Sequence, residues 1–170
     1  MDSDSTLLER FTVTGCERSF ACLTEKYAGM VFSVAHRRVG SRELAEEISQ
    51  NVFLALARKT PQLRPNASLA AWLHRVAVLE SAAVYRAEIR RRRRHEKLAT
   101  MNETETESAL DPDSLPLLDD AVEKLKESDR ELLFRRFLEG MSFAERGSLY
   151  GIPEATGRKR ISRILKSLLN

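Results

Sequence analysis

The chain has 170 residues, of which 42% are hydrophobic and only 6% aromatic, so any core must consist mainly of Leu, Ile, Val and Ala. The net charge of +3 conceals a strong segregation of charge, because residues 90–94 are five consecutive arginines whereas residues 103–123 contain acidic side chains and no basic ones. No apolar run reaches membrane-spanning length and the N-terminus lacks the regions of a signal peptide, so we expect a cytoplasmic protein without membrane insertion.

Helical periodicity dominates the first half of the chain, and strand-like alternation is absent. Apolar residues at helical spacing predict a first helix that ends near Gly40. Ser41 is a suitable N-cap for a second helix, whose core face is formed by Leu44, Ile48, Val52, Ala55 and Leu56. Two prolines predict a loop over residues 60–66, and Ser68 begins a third helix that continues into the arginine run. These helices predict a small bundle of three or four helices over residues 1–95.

The segment 96–117 differs in composition from the rest of the chain, because it is acidic, polar and aperiodic. Such a segment buries too little apolar surface to offset the entropy of ordering, which predicts a flexible acidic linker. Helical periodicity resumes at Leu118. The sequence therefore predicts an all-α fold of two small domains, with the second over residues 118–170.

The last thirty or so residues have the pattern of a helix-turn-helix. Ser142 and Glu145 form a capping box, Gly151 suits a left-handed turn, and Pro153 suits the first turn of the next helix. That helix places Ile161, Leu165 and Leu168 on its apolar side and is crowded with cations elsewhere, which is typical of a helix that enters a DNA groove. The alternative is an ordinary helical hairpin with a solvated basic face.

Two residues depart from a regular helix-turn-helix. Arg146 stands in the first helix where an apolar residue would face the second. Gly157 lies inside the second helix, where glycine costs about 1 kcal/mol relative to alanine. Both departures concern how closely the two helices pack.

Three segments resemble the extracytoplasmic-function (ECF) type of bacterial sigma factor. Their order matches that family, and an acidic stretch precedes the last of them. Residues 41–59 (SRELAEEISQNVFLALARK) resemble the second-region motif of this family. Residues 68–78 (SLAAWLHRVAV) with the arginine run resemble its promoter-melting helix, and residues 118–152 resemble its fourth region. The resemblance implies that the first domain binds the clamp of core RNA polymerase and opens the minus-ten element. The second would bind the minus-thirty-five element and the polymerase flap.

The same resemblance implies roles for individual residues. The clamp would be contacted by Glu47, Gln50, Asn51 and Leu54. The loop 60–68 would hold an extruded base, and the minus-ten element would be contacted by Trp72, Arg75, Arg86, Arg90, Arg91, Arg92, Arg93 and Arg94. The minus-thirty-five element would be contacted by Thr156, Arg158, Lys159, Arg160, Ser162 and Arg163. Many members carry Arg-Asn at positions 78–79 and Ile-Ala at positions 146–147, where this chain has Val-Leu and Arg-Gly.

Each of these surfaces has a simpler interpretation. The face of residues 47–54 could be merely solvated, Trp72 could fill the core at helical spacing, and the arginine run could bind RNA or be simply solvated.

Three classes of function remain to be compared. The first is a sigma factor, which the family resemblance implies is held inactive by an anti-sigma factor or another switch. The second is a free-standing helix-turn-helix regulator that does not bind core polymerase. An enzyme is disfavoured, because the three histidines are scattered and no nucleophile, phosphate loop or metal-ligand spacing accompanies them. Cys16 and Cys22 are expected to be reduced thiols, and we expect no cofactor or metal.

Overall fold

The computed structural model describes residues 2–63, 67–99 and 117–168, and in these ranges the chain is helical without any strand. The predicted all-α fold is confirmed. Four N-terminal helices are followed by four C-terminal ones. Their bounds are α1 Asp4–Thr14, α2 Glu17–Val39, α3 Arg42–Lys59, α4 Leu69–Ala99, α5 Leu117–Lys124, α6 Glu127–Phe137, α7 Phe143–Tyr150 and α8 Glu154–Leu168.

The ends of α2 and α3 follow from local sequence, as predicted. Gly40 takes a left-handed conformation with φ 66°, which allows its N–H to bond the carbonyl of His36 and ends α2. The Ser41 side chain then accepts a hydrogen bond from the N–H of Leu44 at 3.4 Å and caps α3. After α3 the chain makes a short 3₁₀ turn, Thr60–Gln62, in the predicted loop, of which residues 64–66 lie outside the described residues.

The N-terminal core lies between α2, α3 and α4. Its fully buried side chains include Leu23, Tyr27, Ile48, Leu56 and Leu73. The sequence pattern did not reveal α1, which packs on α2 and completes a four-helix bundle. Asp4 of α1 accepts hydrogen bonds from the Tyr27 hydroxyl and, at 2.7 Å, from Lys26. Burial, followed by this bond to Asp4, raises the pKa of Tyr27.

The C-terminal helices contribute Val122, Leu132, Leu133, Ile161 and Ile164 to the buried hydrophobic cluster. The prediction that Leu165 lies on the apolar side of α8 is wrong, because its side chain is 37% exposed while its neighbour Ile164 is 5% exposed. Ile161 and Ile164, three residues apart, share the buried face of α8, a helix that packs against both α6 and α7.

The ends of the predicted linker are helical. Residues 96–99 continue α4, since no glycine or proline interrupts the helix formers that follow the arginine run, and Leu117 begins α5. Residues 100–116, on which the prediction of a flexible acidic linker rests, lie outside the described residues. Across the three described ranges, no helix is long and apolar enough to cross a membrane.

Candidate nucleic-acid interface

The helix-turn-helix geometry is present in α7 and α8. The side chain of Ser142 accepts from the N–H of Glu145 at 3.2 Å, and Glu145 accepts from the N–H of Ser142 at 2.7 Å, which confirms the capping box. These bonds favour the charged carboxylate and lower the pKa of Glu145. Gly151 ends α7 with φ 63°, as predicted, and Pro153 lies immediately before α8.

Two glycines lie where α7 and α8 approach each other. The carbonyl of Gly147 accepts from the N–H groups of Gly151 and Ile152, which brings the turn back onto α7. A Cβ at Gly147 would lie 2.9 Å from the backbone oxygen of Ile152, closer than real contacts allow. A Cβ at Gly157 would lie 3.8 Å from Phe143 and 3.9 Å from Ile152, which is ordinary contact. A methyl group at position 147 would therefore force the turn to shift, whereas one at position 157 would not.

We expect opposite effects of alanine at these two positions. Gly147→Ala should lower the free energy of unfolding by roughly 1–3 kcal/mol, because the added methyl group forces the turn apart. Gly157→Ala should raise it by up to about 1 kcal/mol, since alanine is the better helix former and the space is open. Urea unfolding followed by circular dichroism measures both, with each variant serving as the other's control. Equal destabilisation by the two substitutions would contradict this account of the turn.

The outer face of α8 carries the residues predicted to contact the minus-thirty-five element. Exposed side chains there, away from the buried Ile161 and Ile164, are Thr156, Arg158, Lys159, Ser162 and Arg163. Arg158 is held in place by an ion pair with Glu154 at 2.6 Å and by its position over the Phe143 ring, 5.0 Å from the ring centroid. Hydroxyl and guanidinium groups on one exposed helix face can bond both phosphates and base edges.

Arg160 does not share that outer face. Its guanidinium bonds Asp129 at 2.5 Å and Ser128 at 2.7 Å, so it joins α8 to the beginning of α6. The side chain of Arg160 is 35% exposed and already has these partners. Its position suits a residue that orients α8 better than one that reads DNA.

The predicted minus-ten surface lies along α4. Arg75, Arg86, Arg90, Arg93 and Arg94 are exposed. Two further arginines of the run make weak ion pairs with Glu88. Nη1 of Arg91 lies 3.9 Å from Oε2 of Glu88, and Nε of Arg92 lies 3.6 Å from Oε1. The long helix therefore presents a row of guanidinium groups to solvent, which can neutralise phosphates.

Trp72 lies at the beginning of α4 and is half-buried. It packs against the core and also lines a cavity of about 440 Å³ together with Thr60, Pro61 and Leu63 from the predicted base-binding loop. Both interpretations of Trp72 therefore find support, since one side of the indole fills the core and the other faces the cavity.

The predicted clamp surface lies on one face of α3. Glu47, Gln50 and Leu54 are exposed and Asn51 is half-buried, with the helical spacing that places all four together. Leu54 is 52% exposed although it is a large apolar side chain. The opposite face of α3 contributes Ile48, Val52 and Leu56 to the core.

A polar contact between the N-terminal and C-terminal helices was not predicted. Nε2 of the buried His74 lies 3.1 Å from Asp119, and its Nδ1 lies 3.2 Å from Glu123. Burial alone would lower the pKa of His74, but the hydrogen bonds with the two carboxylates outweigh it and raise the pKa. The pKa values of both Asp119 and Glu123 are lowered, against the effect of burial, by bonds to His74. The only signal in the sequence was the four-residue spacing of the two acids.

Within the described residues, no group of three or more His, Cys, Asp or Glu side chains could hold a metal ion.

Comparison with known proteins places two family matches on these surfaces. Residues 23–97 match Sigma-70 region 2, and residues 115–168 match Sigma-70, region 4. The chain is 31% identical over 161 residues to the RNA polymerase sigma factor CarQ of Myxococcus xanthus, covering 92% of this chain and 90% of CarQ. It is 27% identical over 180 residues to the ECF RNA polymerase sigma-E factor of Escherichia coli, and the match covers 99% of this chain and 93% of the sigma-E factor. Among solved structures, CnrH in complex with the cytosolic domain of CnrY is similar at 23% identity and a TM-score of 0.44. The match covers 98% of this chain and 95% of that chain.

Proposed function

Because this chain belongs to the RNA polymerase sigma factors of the ECF type, it directs core polymerase to promoters, and we propose which of its surfaces do so. The two matched segments are proposed to make two separate contacts with DNA. The proposed domains are 1–95 and 118–170, joined by the segment between them.

The outer face of α8 is proposed to bind the minus-thirty-five element. The observation that carries this proposal is that exposed hydroxyl and cationic side chains share one face of α8, opposite its buried isoleucines. The preceding helix α7 begins with a capping box and ends at a glycine turn. A helix held at such a turn can enter the major groove, where Arg163 and its neighbours reach base edges and phosphates. Arg160 is proposed to orient α8 through Asp129.

The N-terminal helices are proposed to open the minus-ten element and to bind the polymerase clamp. Trp72 and the cavity beside the 60–68 loop would receive an unstacked base, and the arginines of α4 would hold the phosphates. The exposed Leu54 with its polar neighbours would contact the clamp, because a mixed apolar and polar strip suits a protein partner.

The chain is proposed to act without catalysis of its own and in the cytoplasm. Its partners would be core RNA polymerase, at both clamp and flap, promoter DNA, and an anti-sigma factor that holds it inactive. The support for the last partner is the family membership alone.

The experiment that tests this function is run-off transcription by core polymerase on a library of random promoters, with and without the purified chain. We expect the chain to retain core polymerase in a pull-down at low salt and to enrich a two-part promoter sequence. If the chain bound DNA specifically on its own and retained no core polymerase, the protein would be a free-standing regulator instead.

Arg163→Ala tests the reading of the minus-thirty-five element. If Arg163 bonds a base, initiation at cognate promoters should weaken by roughly 1–3 kcal/mol, with little change at promoters altered at that base. The matched control is Lys166→Ala, since Lys166 is an exposed cation in the last turn of the same helix. A loss that is uniform across promoters, with a shallower salt dependence, would make Arg163 a phosphate contact.

A further inference from the structure

An apolar patch interrupts the row of arginines on α4. Leu79 is 58% exposed although it is a large apolar side chain. It stands where many members of the family carry asparagine, which is a polar residue. The half-buried Val76, one turn earlier, and the exposed Ala83, one turn later, adjoin Leu79 along the helix. These three side chains form the α4 apolar patch.

The α4 apolar patch lies on the same face of the helix as the residues proposed to hold promoter DNA. At about 3.6 residues per turn, Leu79 is aligned with Trp72 two turns earlier and with Arg86 two turns later. Arg75 precedes Leu79 by one turn and is exposed, as is Arg86. One continuous strip of α4 therefore carries an indole, a cation, the apolar patch and a second cation before it reaches the arginine run.

Within the described residues, Leu79 is left largely uncovered. Its side chain lines a cleft of about 380 Å³ together with Trp72 and Arg75. Glu131 and other residues from the first half of α6 line the far side of that cleft, yet more than half of Leu79 stays exposed. The patch is therefore accessible to a partner from outside the described part of the chain.

The chemistry of the strip indicates what kind of group meets the patch. The cations on either side of it can each neutralise a phosphate, whereas the patch offers neither a charge nor a hydrogen bond. A DNA strand that follows the two cations must therefore present an apolar group between them. Base faces stack on aromatic side chains, which the patch lacks. The remaining apolar group is the C5 methyl of thymine, which small apolar side chains contact in protein–DNA interfaces.

We propose that Leu79 selects a thymine of the minus-ten element by contact with the C5 methyl group of that base. This role of Leu79 rests on the proposed function of α4 and adds which base one of its residues selects. Leu79 lies about 10 Å from Trp72 along the helix, at about 1.5 Å per residue. At about 3.4 Å per nucleotide, the thymine should lie about three nucleotides from the unstacked base.

The expected size of the effect is that of one methyl group removed from water. This is about 0.8 kcal/mol, or roughly a fourfold difference in affinity. Cytosine and uracil both lack the methyl group, but only uracil keeps every hydrogen-bonding group of thymine. Replacing thymidine by deoxyuridine therefore removes the methyl group and leaves the rest of the base unchanged.

The test uses the complex of the full chain with core polymerase and a promoter enriched from the random library. Each thymidine of the minus-ten element, on either strand, is replaced in turn by deoxyuridine, and promoter affinity is measured by fluorescence anisotropy. We expect one replacement to weaken binding by the wild-type complex roughly fourfold. The fluorescence of 2-aminopurine placed along the same element rises at the unstacked base, which should lie about three nucleotides away.

Three variants separate contact with the methyl group from other effects. Leu79→Asn is similar in size but polar and should bind the thymidine and deoxyuridine promoters equally. Leu79→Met keeps an apolar side chain and should keep the difference between the two promoters. The matched control is Leu118→Asn, because Leu118 in α5 is also 58% exposed and lies outside α4. This control should keep the fourfold difference in full.

Three results would overturn the proposal. The first is a wild-type complex that is insensitive to every deoxyuridine, and the second is a Leu79→Asn complex that keeps the whole difference. The third is a loss of affinity in Leu79→Asn with the difference unchanged, because Leu79 would then contact the polymerase or another part of the DNA. In all three the wild-type complex still initiates at the promoter, so the proposed function stands. If the wild-type chain and core polymerase enrich no promoter, the proposed function fails, and the role of Leu79 fails with it.

Discussion

Replacing Arg90, Arg93 and Arg94 together by glutamine is expected to weaken promoter binding by the polymerase complex by at least a hundredfold at about 0.1 M salt. These guanidinium groups are exposed along the C-terminal half of α4, where they can each neutralise one phosphate. Each lost phosphate contact removes about 0.9 from the slope of log affinity against log salt, so the slope should become shallower by roughly 2.7. Fluorescence anisotropy of labelled promoter DNA across a salt series measures both quantities.

The matched control replaces Arg10, Arg18 and Arg42 by glutamine, which makes the same change in net charge at exposed positions of α1, α2 and α3. That variant should lose little affinity and keep its salt slope, because a general change in charge acts weakly at a distance in salt. A similar loss in both variants would mean that the arginine run provides net charge and no defined contacts. An unchanged promoter affinity in the first variant, with reduced crosslinking to nascent RNA, would support the RNA-binding interpretation.

The parts of the fold that local sequence determines were predictable. A helix end depends on a few residues that are adjacent in the chain, such as Gly40 and Ser41, or Ser142 and Glu145, and the same hydrogen bonds form wherever those residues lie. The core face of α3 was predictable for a related reason. Its apolar spacing allows only one face to be buried, and Ile48, Val52 and Leu56 are all buried there.

The parts that depend on distant partners were not predictable. Both Ile164 and Leu165 stand at apolar positions that could share a face with Ile161, and the placement of the helices that pack against α8, which are α5, α6 and α7, decides that Ile164 is buried. Arg160 is a cationic side chain of the kind that contacts DNA, but its partner Asp129 lies 31 residues earlier in the chain. The partners of His74 are 45 and 49 residues away. The residue pattern indicates what such side chains can bind but not which groups the fold brings to them.

The same distinction applies to the clamp surface, whose role stays a prediction. Two interpretations of residues 47–54 were open, a solvated face and a protein contact. Leu54, at 52% exposure, leaves about half of a large apolar side chain in water. A partner that covered Leu54 would remove that apolar surface from water, whereas a purely solvated face gains nothing from leucine over a polar residue.

Leu54→Glu is therefore expected to separate stability from polymerase binding. Because the side chain is exposed, the free energy of unfolding should change by less than about 0.5 kcal/mol. Affinity for core polymerase should fall roughly 30-fold or more, since a charge would replace the large apolar side chain of the proposed contact, and loss of an interface hot spot costs about 2 kcal/mol or more. The control is Val13→Glu on α1, because Val13 is 76% exposed and lies outside the segment matched to Sigma-70 region 2. If polymerase binding survives Leu54→Glu but not Val13→Glu, the clamp contact lies on α1 and not on α3. If binding is unchanged in both variants, neither exposed side chain contacts the polymerase.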